Sequence, residues 1–224
     1  MVIDEVRDAL ATALDGRRLL DHPFYVRWEA GELSAAELGA YAEQYRPIEQ
    51  ALPGVLGAIA DGLADGPTRD LVLANLADEL GTPEPHADLF ERFAGAVGAR
   101  SGAAPTAAAS AVVEAQRAAA SSGPVAGLAA LAAYEVQAAE VAETKGSSLR
   151  RHYGCDRQAT SFWDVHATME PAHADWTVRA LAALAPDPAD VAAVASAVAG
   201  AWWGFLDERQ AQGQELASVA TAGV

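Results

Sequence analysis

Alanine dominates this chain, and no stretch of it alternates apolar and polar residues cleanly enough to form a half-buried β-strand. Alanine is the strongest helix former because its side chain loses no rotamer entropy on entering a helix. Runs of the strand-favouring residues Ile, Tyr and Thr are scarce. The sequence therefore predicts an all-α protein.

Glycine and proline residues divide the chain into predicted helices. Ser34, followed three residues later by Glu37, has the spacing of a capping box and marks a helix start. Pro47 and Pro53 fall inside that helix, and we expect them to kink or break it. The predicted helices cover roughly residues 2–19, 34–66, 68–80, 86–97, 106–120, 124–153, 158–184 and 189–210. Their short connections predict a single domain over residues 1–224, with a flexible tail over 210–224.

Charge and cysteine content exclude several classes of protein. The chain has 15 Lys and Arg against 31 Asp and Glu, a formal net charge of −16, which argues against binding to nucleic-acid phosphates. Cys155 is the single cysteine, so no internal disulfide indicates an oxidising compartment. No charge-free apolar run reaches the length of a membrane span, and acids occupy the start where a signal peptide carries basic residues. We expect a soluble cytoplasmic protein without a nucleic-acid or membrane partner.

Three residues of the predicted helix 158–184 have the spacing of a ligand-bearing helix face. His166, Glu170 and His173 stand at positions i, i+4 and i+7. With 3.6 residues per turn, these three side chains lie on the same face of the helix. The pattern by itself is moderately specific, because a single Glu or His on such a helix is more often a solvated surface residue.

Further acids and a histidine stand at two other places. Glu79 ends one predicted helix and His86 begins the next, so the intervening turn can bring both side chains to one point. Glu135 lies inside the mostly apolar stretch 128–141, where burial of an unpaired carboxylate is costly. These places add two carboxylates and one imidazole to the set on the predicted helix 158–184.

Three carboxylates and three imidazoles form a ligand set suited to iron or manganese. Helical bundles build di-iron sites from Glu and His side chains that project inward from several helices. Zinc is a competing interpretation, but a zinc site usually needs only three or four protein ligands. Six candidate ligands fit two metal ions better than one.

Several segments of the chain resemble the heme-oxygenase-like diiron oxidases and oxygenases, and among them the chlamydial-type 4-aminobenzoate synthases. The resemblance covers roughly residues 18–208. Its matching segments are residues 22–28 (HPFYVRW), 31–33 (GEL), 75–79 (NLADE) with His86, Tyr134-Glu135 with Lys145, 166–173 (HATMEPAH) and 204–207 (GFLD). It implies a heme-oxygenase-like bundle of seven to eight helices. It also implies a pair of divalent metal ions, Fe/Fe or Mn/Fe, whose ligands match Glu79, His86, Glu135, His166, Glu170 and His173.

The same resemblance implies an unusual substrate. The 4-aminobenzoate synthases are thought to consume their own side chains, a tyrosine for the ring and a lysine for the amino nitrogen, with O2 as co-substrate and an external reductant. Their residues match Tyr25 and Lys145 in this sequence. The structural alternatives are a core tyrosine in an HPFY turn and a cation near a helix C-terminus. Phe162 and Glu170 depart from the tyrosine and aspartate common in the synthases, and Pro171 is expected to bend the ligand helix.

Two other functions stay open at this point. The scaffold also serves di-iron oxygenases of specialised metabolism, which act on small substrates such as an amino acid or an amine. A metal-free helical binding protein of the same fold is the alternative outside enzymes. The electron donor is unknown, and the apolar C-terminal helix with Trp202 and Trp203 favours a homodimer.

Overall fold

Helices supply the regular structure of this protein. A computed structural model describes residues 3–81 and 84–222, with the backbone alone for 215–222, and within these ranges it contains no β-strand. The α-helices of the described residues are α1 (Ile3–Leu14), α2 (Pro23–Ala30), α3 (Ala35–Asp61), α4 (Pro67–Leu80), α5 (His86–Ala96), α6 (Ala107–Ser122), α7 (Pro124–His152), α8 (Ser161–Ala183) and α9 (Pro188–Ala222). The predicted all-α class is confirmed.

The N-terminal region differs from the prediction. Helix α1 ends at Leu14 instead of near residue 19, because Gly16 adopts the left-handed conformation with φ 66° and turns the chain. Helix α2 replaces the expected turn. It begins because Pro23 occupies its first turn and the His22 ring accepts a hydrogen bond from the Phe24 backbone N–H.

The prolines at positions 47, 53 and 171 do not break the helices that contain them. The capping box of Ser34 and Glu37 is present, and α3 then continues through Pro47 and Pro53 without a break. Helix α8 likewise runs through Pro171. Each proline costs one backbone hydrogen bond, and packing of the surrounding buried residues outweighs that loss.

The C-terminal segment is also more regular than expected. The backbone of α9 stays helical to Ala222, although we expected a tail from residue 210. This segment is rich in Ala and Gln, which favour helix. Residues 223 and 224 of the expected tail lie outside the described residues.

Helix α7 occupies the middle of the bundle. It packs against α8, α6 and α9 over long stretches and also touches α1, α2 and α3. Gly127 permits the close approach of α3, since a Cβ atom there would lie 2.5 Å from Ile59 Cγ1. The buried apolar side chains form one cluster that extends from Val6 to Leu206. Side chains of α7 therefore face neighbours from most of the other helices.

Within the described residues, two helices are long and apolar enough to cross a membrane by length and composition, namely α7 and the segment Pro188–Gln214 of α9. The relevant part of α7 is 67% buried inside the protein, and that of α9 is 39% buried. Burial of this kind is typical of a core helix in a soluble protein, so this finding is weak support for a membrane span.

Candidate metal centre

The end of α4 and the start of α5 bring Glu79 and His86 together. Gly81, with φ 91°, ends α4 in a conformation that favours glycine, and the chain turns there. The Nδ1 atom of His86 lies 2.9 Å from Oε2 of Glu79, and both side chains are buried. The seven-residue spacing thus places a carboxylate and an imidazole in direct contact.

The three spaced residues of α8 share one buried face. His166 Nδ1 lies 2.8 Å from the carbonyl oxygen of Phe162. A carbonyl oxygen only accepts hydrogen bonds, so Nδ1 carries the proton and Nε2 keeps a free lone pair. His173 Nδ1 lies 4.0 Å from Oε2 of Glu170, and both side chains are buried. Helix periodicity alone therefore aligns three possible ligands.

The two groups meet at one point in the interior. The ligand atoms offered by Glu79, His86 and His166 all lie within 4.8 Å of one another. The rings of His86 and His166 have centroids 4.6 Å apart. On the other side, His173 Nδ1 lies 4.0 Å from Oε1 of Glu79. Glu79 thus stands between the histidine of α5 and those of α8.

Glu135 completes the set from the middle of α7. Asn75 donates a hydrogen bond of 2.8 Å to its Oε1 atom, while Oε2 is buried without a partner. Oε2 of Glu170 is likewise buried without a hydrogen-bond partner. Both carboxylates line a small cavity of about 30 Å³ together with Glu79 and His166. Buried oxygens without a donor are costly, and a cation supplies the missing interaction, so these residues fit a metal centre.

The titration behaviour follows from burial of several acids together. Burial and the neighbouring carboxylates of Glu135 and Glu79 raise the pKa of Glu170 well above its usual value. Burial raises the pKa of Glu135 too, opposed by the nearby Thr177 and Asn75 side chains. Burial lowers the pKa of His166 to about 4, which keeps its imidazole neutral. A neutral imidazole is the form that binds a metal ion.

Sequence reasoning missed the residues that support this set. Asp78 Oδ2 lies 3.3 Å from His173 Nε2, an arrangement that leaves Nδ1 of the histidine facing the carboxylates. Asn75 lies one helical turn before Glu79, and Thr177 lies one turn after His173, so helical spacing could have pointed to both. Glu49 also lines the cavity, from α3, and nothing in its local sequence indicates this position.

Tyr25 and Lys145 lie next to each other in the core. Lys145 Nζ lies 4.4 Å from the centroid of the Tyr25 ring, and each side chain is only 1% exposed. Trp163 covers the amine from another side, with its ring centroid 4.3 Å from Lys145 Nζ. Lys145 is the only lysine in the sequence, and it lies inside α7, not near its C-terminus. That single occurrence is a signal which sequence reasoning did not use.

Tyr41 connects the phenol to the amine. Its hydroxyl lies 2.8 Å from that of Tyr25 and accepts a hydrogen bond of 2.6 Å from Lys145 Nζ. Burial holds the pKa of Lys145 well below its usual value, so the amine tends to be neutral. Burial raises the pKa of Tyr25, which keeps the phenol protonated. Burial therefore favours the uncharged form of both the amine and the phenol.

Aromatic side chains separate this pair from the cavity. Neither Tyr25 nor Lys145 is among the residues that line the cavity. Tyr45 lines it and stacks on Tyr41 with ring centroids 5.5 Å apart. Trp202 lines the same cavity and is buried, whereas Trp203 is half-buried. The structure thus contains two adjoining sites, one of ligand residues and one of the phenol and the amine.

A fold of buried helices around carboxylate and imidazole ligands is typical of metal-dependent oxidoreductases. A family described as "iron-containing redox enzyme" matches residues 39–206. This chain belongs to that family of iron-containing redox enzymes, which supports an oxidoreductase-type enzyme. The resemblance seen in the sequence is thereby confirmed.

Characterised relatives match most of the chain. A 4-aminobenzoate synthase of Nitrosomonas europaea is 32% identical over an alignment of 227 positions, which covers 92% of each chain. A 4-aminobenzoate synthase of Chlamydia muridarum is 33% identical over 207 residues, 89% of this chain and 88% of the relative.

Solved structures show the same fold at low identity. A domain of unknown function with a heme oxygenase-like fold from Shewanella denitrificans superposes with a TM-score of 0.76 at 16% identity, over 97% of this chain and 96% of that one. A CADD-like protein of unknown function from Nostoc punctiforme has a TM-score of 0.73 at 16% identity, over 95% and 97% of the two chains. The predicted heme-oxygenase-like bundle is confirmed.

Proposed function

We propose that this protein is an O2-activating non-heme di-metal oxidase that forms 4-aminobenzoate from its own Tyr25 and Lys145. The family and the names of the relatives support an enzyme of this kind. The contact that carries the proposal is the buried amine of Lys145, whose Nζ lies 4.4 Å from the centroid of the Tyr25 ring.

The six buried donors would hold the metal pair, either Fe/Fe or Mn/Fe. Glu79, Glu135 and Glu170 supply the carboxylates, and His86, His166 and His173 supply the imidazoles. Such a pair, when bound and reduced by an external electron donor, supplies the capacity to react with O2. The neutral form of His166 and the unpartnered oxygens of the acids support this assignment.

The protein itself orients the two groups to be consumed. Tyr25 would supply the ring of the product and Lys145 its amino nitrogen. The Tyr41 hydroxyl is bonded to both and so fixes the distance between the phenol oxygen and the amine. An amine attacks only as the free base, and burial among aromatic rings favours that form. The surrounding rings also exclude water from the amine.

Oxidation of Tyr25 would proceed across an aromatic wall formed by Tyr41 and Tyr45, because the Tyr25 phenol does not line the cavity. Tyr41 and Tyr45 stack on each other between the Tyr25 phenol and the cavity. Tyr45 shares a hydrogen bond of 2.9 Å with Tyr134, which also lines the cavity. An electron leaving Tyr25 can pass through these contacts to the cavity. The product would take its ring and carboxyl carbon from Tyr25, with cleavage of the Cα–Cβ bond, and its nitrogen from Lys145, with cleavage of the Cε–Nζ bond. The nitrogen replaces the phenol oxygen, O2 is the oxidant that raises Cβ to a carboxylate, O2 and water supply the carboxylate oxygens, and the external reductant supplies the remaining electrons that reduce O2 to water.

Cavity size favours this function over an oxygenase that acts on a free amino acid or amine. Pockets that bind small molecules usually have volumes of about 300–1,000 Å³. The cavity beside the ligand residues has about 30 Å³, which is room for ions or water molecules only. A substrate already built into the chain needs no such pocket.

Isotopic labelling tests the proposal directly. Protein grown with ring-labelled tyrosine and ε-15N lysine is loaded with iron, or with manganese and iron, and exposed to O2 with a reductant. Because Lys145 is the only lysine, nitrogen label in the product identifies its source without ambiguity. We expect at most one labelled 4-aminobenzoate per chain, measured by mass spectrometry.

Matched variants separate the alternatives. Tyr25→Phe and Lys145→Arg should abolish product, while Tyr153→Phe, which lies outside the cluster around Lys145, should leave it unchanged. Product that persists in Tyr25→Phe would refute self-consumption. A protein that retains no iron or manganese after supplementation would instead favour the metal-free binding protein.

A further inference from the structure

Glu49 is a buried acid of α3 at the cavity. Its side chain is 6% exposed and lines the cavity beside Glu79, Glu135 and Glu170. Tyr45, one helical turn earlier, lines the same wall. Glu49 therefore reaches the cavity of four proposed ligands, Glu79, Glu135, His166 and Glu170, from a helix that supplies none of them.

No cation partner explains the burial of Glu49. Among the described residues, no hydrogen bond or ion pair engages its carboxylate, and no Lys or Arg lines the cavity. Two other buried acids of the same helix each have an arginine partner at 2.8 Å: Glu37 pairs with Arg27, and Glu43 pairs with Arg100. A buried carboxylate without a partner costs several kcal/mol in general, so a cation in the cavity would stabilise the charged form of Glu49.

Charge balance points to the same need. Two divalent ions carry a charge of +4, and the three proposed carboxylate ligands carry −3, since the histidines bind as neutral groups. One more carboxylate makes the buried centre neutral. A neutral centre avoids the cost of holding a net charge in the protein interior.

We propose that Glu49 is a further carboxylate ligand of the metal pair, contributed by α3. This inference rests on the proposed di-metal function. It assigns α3 a direct place in the centre, in addition to α4, α5, α7 and α8. It also links the centre to the aromatic wall, because Tyr45 lies on the same face of α3 as Glu49.

Metal binding by three variants tests the inference. Metal-free wild type, Glu49→Gln and Glu49→Asp are titrated anaerobically with Mn(II) and with Fe(II), and bound metal is counted by elemental analysis. We expect Glu49→Gln to weaken one of the two equivalents at least about tenfold, and Glu49→Asp to weaken it less. Glu43→Gln is the matched control, because Glu43 lies on the same helix but pairs with Arg100.

Thermal unfolding supplies a second readout, because Glu49→Gln should affect the melting temperature differently without and with bound metal. Without metal, Glu49→Gln should raise the melting temperature, because it removes an unpaired buried acid. With saturating Mn(II), the metal-dependent rise in melting temperature should be smaller than in the wild type. Wild-type affinity for both equivalents in Glu49→Gln would overturn the inference. Failure of the wild type to bind two equivalents would overturn the di-metal proposal itself.

Discussion

Replacing Tyr41 by Phe removes one oxygen atom from the interior and leaves two buried polar groups without a partner. The Tyr41 hydroxyl lies 2.8 Å from the hydroxyl of Tyr25 and 2.6 Å from Lys145 Nζ. No other hydrogen bond among the described residues engages either group. A buried polar group left unsatisfied costs about 1–3 kcal/mol, so two of them lower the free energy of unfolding by about 2–6 kcal/mol.

Tyr45→Phe is the matched control, because it also removes a buried hydroxyl from a stacked tyrosine. That hydroxyl has one partner, Tyr134, at 2.9 Å. The expected loss is therefore only about 1–3 kcal/mol. Urea unfolding of metal-free protein, followed by circular dichroism, measures both variants against the wild type. Equal losses in the two variants would contradict the bridging role of Tyr41.

A double-mutant cycle isolates the contribution of the amine. Lys145→Met removes one of the two groups that depend on Tyr41. In that background, Tyr41→Phe should cost about 1–3 kcal/mol less than in the wild type, because only Tyr25 is then left without a partner. A coupling energy near zero would show that Lys145 does not depend on the Tyr41 hydroxyl.

Three further predictions concern other parts of the molecule. Burial holds the pKa of Lys145 well below its ordinary value of 10.5, so the unfolded state binds more protons between these two values and wild-type stability rises with pH across that window. Lys145→Met should remove this dependence and stabilise the protein more at neutral pH than near pH 10, measured by urea unfolding across the range. Asp78→Asn should weaken Mn(II) binding about 10- to 100-fold, because the carboxylate orients His173; equilibrium dialysis measures it. Gly127→Ala should cost about 1–3 kcal/mol and lower the melting temperature, since the new Cβ atom would meet Ile59 at 2.5 Å.

Parts of the candidate site that lie within one helix could be predicted from the sequence. His166, Glu170 and His173 share a face because helix periodicity fixes it, whatever the tertiary structure. Glu79 and His86 were harder to place, since their contact depends on the turn at Gly81 between two helices. The sequence showed that a turn was present but could not give its direction.

Contacts between distant helices account for what the sequence could not predict. Glu49 and Glu135 are 86 positions apart and meet only because α3 and α7 pack side by side. Glu37, Glu43 and Glu49 all lie on α3, and the sequence indicates no cationic partner for any of them. Only the tertiary structure shows that two of these acids have arginine partners and that the third faces the cavity.

Lys145 is difficult to explain by stability alone. Every other basic side chain that is not a histidine is an arginine, and arginine stays charged at any pH the fold tolerates. Lysine can lose its proton when it is buried, and burial favours that loss for Lys145 at a cost in stability, with no acid among the causes of its pKa shift to offset it. A methionine would fill the same space among the aromatic rings without that cost. The amine therefore contributes nothing that packing requires, whereas a neutral nucleophile held against a phenol is what the proposed reaction requires.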